Sequence, residues 1–451
     1  MESVDLIIRN GTVVTMNADR EVFPSGSVVV GGSRILAVGD ASTEAAYRAE
    51  RVLDARGGLV LPGFVNTHTH VSMAAFRGLA DDVEDRLRRF IFPLEKELVD
   101  RELVHAGALH GSIEMARSGV TTLADMYYFE DEVARAVKQV GLRAVLGETV
   151  IDFPAPDAAS PAAALEYAET FIRTFEGDPL ITPALAPHAP HTLEADWLRA
   201  VECTSARRGV PVLIHLAETK EEVERIRART GLSPVAYLDQ VGLLDERLTA
   251  AHCIFVDPED IALLRSRDVG VAHNMVANIK SAKGVAPVPR MLEEGLRVGL
   301  GTDGPMSGNT LDIIGQMGYV AKVHKLILGD ATALPASEVV ALATIGGARA
   351  LHMEDRIGSL EAGKLADIVV IGVDSPAMAP IYDVYSALVY AASARDVRAA
   401  IVHGRVIVDE DRLLTVDEAE VRNGIEALAQ RVRSLVGRLE ITGDATPEAT
   451  R

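Results

Sequence analysis

The chain has 451 residues, 48% of them hydrophobic, with 45 Lys and Arg against 65 Asp and Glu, a formal net charge of −20. That length supports a large core and more than one domain, and the acidic balance argues against nucleic acid or an anionic membrane as partner. No run approaches the roughly 18 apolar residues of a bilayer span, the opening Met1-Glu2-Ser3-Val4-Asp5 lacks the basic start of a secretory signal, and two cysteines, Cys203 and Cys253, make no disulfide framework. A reducing cytoplasm is the expected location.

Residues 1–60 read as short strands. Residues 5–9 and 12–16 flank Asn10-Gly11, which predicts a hairpin, and residues 27–30 and 34–38 flank Gly31-Gly32 in the same manner. From residue 61 the texture changes. Strand-like runs at 63–67, 120–124, 143–147, 181–186, 211–215, 248–252, 269–273 and 297–301 alternate with helical spacing, as in Val133, Ala136, Val137 and Val140. Eight alternations over roughly 250 residues predict an α/β fold, a (β/α)8 TIM barrel, over a doubly wound open sheet.

After the barrel, residues 341–351 read as one helix, 357–363 as a turn-rich link, and 366–371 as a return to β. Residues 397–402 and 405–408 flank His403-Gly404 as a further hairpin. The late strands are expected to join the early ones in a small composite β-sandwich domain, 1–60 plus 358–415, beside a catalytic barrel of 61–357. Residues 416–451 are expected to form a closing helix and a polar tail that frays from 441.

Barrel active sites sit at the carboxyl ends of the strands. There the chain places its reactive side chains. The run Leu61-Pro62-Gly63-Phe64-Val65-Asn66-Thr67-His68-Thr69-His70 ends in two histidines that share one strand face, half of a metal site. An arbitrary His-x-His is more often two satisfied or exposed imidazoles. Here the later strands add to it. His188 follows the fourth strand, His215 ends the fifth with Glu218 three residues on, His252 ends the sixth, His273 the seventh, and Asp303 follows the eighth. Alternation turns Cys253 away from this cluster, and Trp197 reads as a helix residue packed on the barrel.

The segments 61–70, His215-Leu216-Ala217-Glu218, Ala251-His252-Cys253 and Gly301-Thr302-Asp303-Gly304, in this order, resemble the amidohydrolase superfamily over essentially the whole chain, and within it the cytosine-deaminase-like branch. The resemblance implies one divalent metal held by His68, His70, His215 and Asp303. Three imidazoles and a carboxylate favour zinc, with iron or manganese close behind. Binuclear members carry a lysine on strand four, and residues 181–186 have none. The resemblance also implies that His252 sits beside the water the metal activates, that Glu218 shuttles protons, that Asp303 doubles as ligand and base, and that the chain forms a homo-oligomer. The bland alternatives are a solvated helix-start carboxylate for Glu218 and packed core histidines for His252 and His273.

Phe92-Pro93-Leu94-Glu95 resembles the segment that presents a glutamate to ribose hydroxyls in methylthioadenosine and S-adenosylhomocysteine deaminases, which gives Glu95 that role. His188, in Ala186-Pro187-His188-Ala189-Pro190, matches their purine- or ribose-contacting histidine. Two stretches depart from the pattern: Glu148, and the loop Gly304-Pro305-Met306-Ser307-Gly308-Asn309 after Asp303, where the family often shows small and asparagine residues and which is expected to rim the pocket. Glu148 stands where some members carry an arginine near a homocysteine carboxylate, so its negative charge is expected to disfavour an amino-acid tail. Residues 272–278 resemble the triazine hydrolases of the same branch. The expectation is hydrolytic deamination of an adenosine-type nucleoside: 5'-methylthioadenosine, adenosine or S-adenosylhomocysteine. A triazine or other heteroaromatic amidohydrolase is the competing reading. A non-catalytic scaffold is disfavoured by the complete ligand set.

Overall fold

Two sheets organise the protein, seen here in a computed structural model that describes residues 1–83 and 87–442. The chain opens with β1 (Glu2–Val14), β2 (Val22–Gly31), β3 (Arg34–Asp40), β4 (Tyr47–Asp54) and β5 (Leu59–Pro62). The barrel strands follow: β6 (Phe64–Thr69), β7 (Val120–Tyr127), β8 (Arg143–Val150), β9 (Ile181–Pro187), β10 (Val212–Leu216), β11 (Leu248–His252), β12 (Gly270–His273) and β13 (Arg297–Leu300). The chain then adds β14 (Ile368–Ile371), β15 (Val397–Val402), β16 (Arg405–Asp409) and β17 (Arg412–Leu413).

Strands β6 to β13 pair in chain order, each parallel to the next. All eight fall where the sequence places them. Helices cover the outer face, so strands such as β7 and β8 are buried along their whole length. The helix Glu130–Val140 shows why: Val133, Ala136, Val137 and Val140 line its buried side. The ring is drawn shut where the loop after β13 meets β6. There Thr302 N and Asp303 N donate to the His68 carbonyl at 3.1 and 3.0 Å. This seam holds two of the expected metal ligands in adjacent positions.

The second sheet has nine strands drawn from both chain ends. β14 pairs antiparallel with β5, placing Val369 opposite Leu61, and β15, β16 and β17 extend the edge. Leu6, Ile8, Val28, Val30, Ile368 and Ile401 belong to a core of its own. The helix Glu418–Thr442 closes the chain with Leu428, Val432 and Leu435 buried at helical spacing. The tail expected beyond it, 443–451, lies outside the described residues.

Two local expectations are overturned. Asn10-Gly11 makes no hairpin. β1 runs through it, and residues on both sides pair with β2, Leu6 with Val30 and Val14 with Val22. Asn10 takes a left-handed φ of 57°. The pairing register shifts between Ile8 and Gly11, so the turn-forming pair is absorbed as a bulge. The other edge of β1 passes there from β4 to β5. The single helix expected over 341–351 is two, Ala336–Ala343 and Ile345–Ala350, broken at Thr344. The second must drop close to the barrel. A Cβ on Gly347 would lie 2.8 Å from the Val65 Cβ.

One ion pair joins the two sheets. Arg143, at the start of β8, reaches Asp367 through Nε at 2.8 Å and Nη2 at 3.2 Å, with the two side chains 1% and 3% exposed. Asp367 also accepts from His403 N at 2.7 Å. Removing one member of such a pair strands a buried charge. Arg143→Met is therefore expected to destabilise the protein by about 3–5 kcal/mol. Adding Asp367→Asn should recover part of that loss, as measured by urea unfolding.

Candidate active site

The six side chains singled out in the sequence converge at the carboxyl ends of β6, β10, β11 and β13. His68, His70 and His215 bring ring nitrogens within 4.8 Å of one another, and so do His68, His252 and a carboxylate oxygen of Asp303. Asp303 Oδ1 lies 3.3 Å from His70 Nε2 and 3.6 Å from His68 Nε2. His70 Nε2 and His215 Nε2 are 3.2 Å apart. The backbone pays for this convergence in strain. His252 (φ 74°), Asp303 (φ 60°) and Ala217 (φ 50°) all adopt left-handed conformations at strand ends, which cost roughly 1–3 kcal/mol each for non-glycine residues. Cys253, also left-handed, is buried and lines no part of the cavity.

The imidazoles are oriented from behind. His70 Nδ1 lies 2.6 Å from the Met126 carbonyl, and His215 Nδ1 lies 2.8 Å from that of His188. A carbonyl only accepts, so each Nδ1 donates and each Nε2 is turned toward the cluster. His68 Nε2 is buried with no hydrogen-bond partner. An orphaned buried nitrogen is costly unless a ligand takes it up. Burial lowers His68 to about 4 and takes His215 well below its usual range, with neighbouring histidines adding to the effect for His215. Both are neutral donors at pH 7. Burial opposes ionisation of Asp303, but the neighbouring imidazoles of His68 and His70 hold it well below the usual carboxylate range. Burial also opposes a charge on His70, yet Asp303 and then Asp125 lift it to about 9. Two buried neutral imidazoles, an ionised carboxylate and a third imidazole that yields its proton to a cation fit a divalent metal.

Glu218 follows on the loop after β10. Its Oε1 lies 3.6 Å from His252 Nε2 and 2.5 Å from Lys283 Nζ. Burial works against its charge, but His252 and Lys283 outweigh it and hold the carboxyl at about 2. His252 Nδ1 is 2.8 Å from Asn278 Oδ1. Two residues missed in the sequence support this group. Glu222 accepts from Ala217 N and Glu218 N, both at 2.8 Å, and so clamps the loop that carries Glu218. Its position four residues after Glu218 was the available signal. Lys283 lies 65 residues away on an irregular loop, and no spacing rule reaches it.

A cavity of about 910 Å3 opens onto these residues and is lined also by Glu95 and His188. Glu95, on the helix Phe92–Leu98, is buried, which raises its carboxyl to about 7 against the opposing effects of Tyr127 and His70. His188 is lowered to about 3 by burial, then by His191 and His70. One expectation changes. Glu148 does not line the cavity. It is fully buried, accepts from Glu130 N at 3.1 Å, and burial and then Asp157 push its carboxyl well above the usual range. Set outside the cavity lining, Glu148 meets no substrate tail. His273 lies away from the cluster, with its Nε2 3.3 Å from His324 Nε2, in the structural role held open for it.

A family model described as the amidohydrolase family matches residues 59–407. The chain belongs to the amidohydrolase family. It is a hydrolase acting on carbon–nitrogen bonds. This amidohydrolase is 44% identical over 95% of its length to 98% of a 5-methylthioadenosine/S-adenosylhomocysteine deaminase from Syntrophobacter fumaroxidans. It is 40% identical over 96% of its length to 99% of a 5'-deoxyadenosine deaminase from Methanosarcina acetivorans. Among solved structures, an adenosine deaminase from Xanthomonas campestris with bound zinc superposes with a TM-score of 0.94 at 34% identity, covering 96% of this chain and 99% of that one. Family, zinc-bound neighbour and histidine cluster together support a divalent metal site. Among the described residues, no helix is long and apolar enough to cross a membrane.

Proposed function

We propose that this amidohydrolase removes the exocyclic amine of an adenosine-type nucleoside by hydrolysis, releasing ammonia. The observation that carries the reading is one cavity holding both a histidine–aspartate cluster and a buried second carboxylate, Glu95, suited to ribose hydroxyls. The relatives named above support it. His68, His70, His215 and Asp303 would hold one divalent cation, with zinc favoured by the donor set and by the Xanthomonas structure. When bound, such a cation brings the pKa of water from about 16 toward about 7.

The chain's own residues divide the proton work. Asp303 would take a proton from the attacking water as the new C–O bond forms at the amine-bearing carbon. Glu218, ionised and fixed by His252 and Lys283, would pass the water's other proton to the adjacent ring nitrogen and then relay the proton held by Asp303 to the departing amine. His252, its Nδ1 held by Asn278, presents Nε2 to that exchange. Glu95 would accept from the two vicinal ribose hydroxyls, and His188 would contact the purine or ribose. The net reaction consumes one water and yields the keto nucleoside and ammonia. We place the enzyme in the cytoplasm as a homo-oligomer, which light scattering of the purified protein tests.

Ammonia release should be assayed across adenosine, 5'-methylthioadenosine, 5'-deoxyadenosine, S-adenosylhomocysteine, guanine, cytosine and melamine. Turnover of nucleosides over free bases is expected, and no nucleoside turnover would overturn the reading. Glu95→Ala should raise nucleoside KM about 10- to 100-fold, the value of hydrogen bonds to a charged group, with little effect on free adenine. The raised carboxyl sets the sign of the pH effect. Glu95 is protonated below about 7, so nucleoside KM should climb as pH falls through that value in the wild type and stay flat in Glu95→Ala.

A further inference from the structure

The ion pair on Glu218 has a geometry that the proton shuttle alone does not require. Lys283 Nζ and His252 Nε2 both address Oε1, at 2.5 and 3.6 Å. Among the described residues no protein hydrogen bond reaches Oε2. The two carboxylate oxygens are thus unlike: Oε1 is held and Oε2 is not, on a residue that lines the cavity.

The loop that delivers Lys283 is itself built for the task. Lys283 N donates to the Asn278 carbonyl at 3.0 Å, and Asn278 is the residue whose side chain fixes His252. Ala282 and Gly284 flank the lysine at φ 52° and 133°, conformations that L residues rarely adopt. A Cβ on Gly284 would lie 3.0 Å from Ile254 Cγ2, so the loop seats close behind the end of β11. One anchor, Asn278, therefore sets both nitrogen neighbours of Oε1. A carboxylate turns readily about its terminal torsion, and without the ammonium only His252, at 3.6 Å, distinguishes its two oxygens.

We propose that Lys283 is a positioning residue: its ammonium pins Glu218 by Oε1 so that Oε2 is presented to the ring nitrogen and the departing amine. This rests on Glu218 being the proton shuttle. Lys283→Met and Lys283→Arg should be compared with wild type and Glu218→Gln as full-length, metal-loaded enzyme, on whichever nucleoside the wild type turns over fastest. Lys283→Met should lower kcat about 10- to 100-fold, as expected for a misplaced catalytic group, with KM within about twofold. Lys283→Arg should recover most of the loss, and metal content should be unchanged in both. Kd for a ring-expanded purine nucleoside bearing a tetrahedral hydroxyl should rise with the kcat loss, while Kd for the deaminated product stays constant. Wild-type kcat in Lys283→Met, or a loss confined to KM and product Kd, would overturn the assignment. If Glu218→Gln also turns over normally, the shuttle reading itself falls. If only Lys283→Met does, Glu218 keeps its role and Lys283 loses its own.

Discussion

Asp303→Ala is expected to leave the enzyme without metal and without measurable turnover. Asp303 is the one anion in the proposed donor set. His68 and His215 are held neutral by burial, so they contribute lone pairs and no charge. Without Asp303, a buried dication would face imidazoles alone and would lack the carboxylate that receives the water's proton. Activity should fall by at least about a thousandfold. Elemental analysis should drop from about one divalent ion per chain to a small fraction. Asp303→Asn keeps the volume and loses the charge, so it should fall between the two. The same residue sets a pH dependence. Asp303 lifts His70 to about 9, and a cation on Nε2 must displace that proton. Metal affinity should therefore rise about tenfold per pH unit between 6 and 8 and level off above about 9. A metal-buffered titration measures this. Full metal content in Asp303→Ala, or an affinity flat with pH, would remove the proposed ligand set.

Glu218→Gln should separate chemistry from metal binding. The amide preserves the shape and the contact to His252 but can neither accept nor deliver the proton, so kcat should fall about 10²- to 10⁴-fold. The metal should stay, because Glu218 is not in the ligand set. Its pH signature differs from that of Glu95. His252 and Lys283 keep Glu218 ionised down to about 2, so it adds no acid limb to kcat/KM near neutrality. The limb near 7 should belong to Glu95 and should vanish in Glu95→Ala. Metal loss in Glu218→Gln would make it a ligand and not a shuttle.

The barrel was legible because its strands are short apolar runs broken by helical spacing, and because period-two alternation puts His68 and His70 on one face. Both are local properties of the sequence. The misjudged places are those where tertiary contacts outweigh a local signal. Asn10-Gly11 has turn chemistry, but β2 pairs with β1 on both sides of it, so the chain bulges instead of reversing. Thr344 sits in a helical pattern and still breaks it, since the next helix must meet the barrel through Gly347. Glu148 looked like a pocket charge because strand-end position says nothing of depth. It faces Glu130 and Asp157, not the cavity. Of the site, the residues at strand ends could be found, while Lys283 could not, because its loop carries no period.

The pairing of β5 with β14 has a consequence for how the chain is made. β5 leaves the ribosome early, and its neighbour follows only after the whole barrel, roughly 300 residues later, or about 15–60 s at elongation rates of about 5–20 residues per second. Through that interval the amino-terminal strands present an open edge of Val and Leu. Nascent chains arrested before residue 368 should be the species that chaperones bind and that aggregates on overexpression.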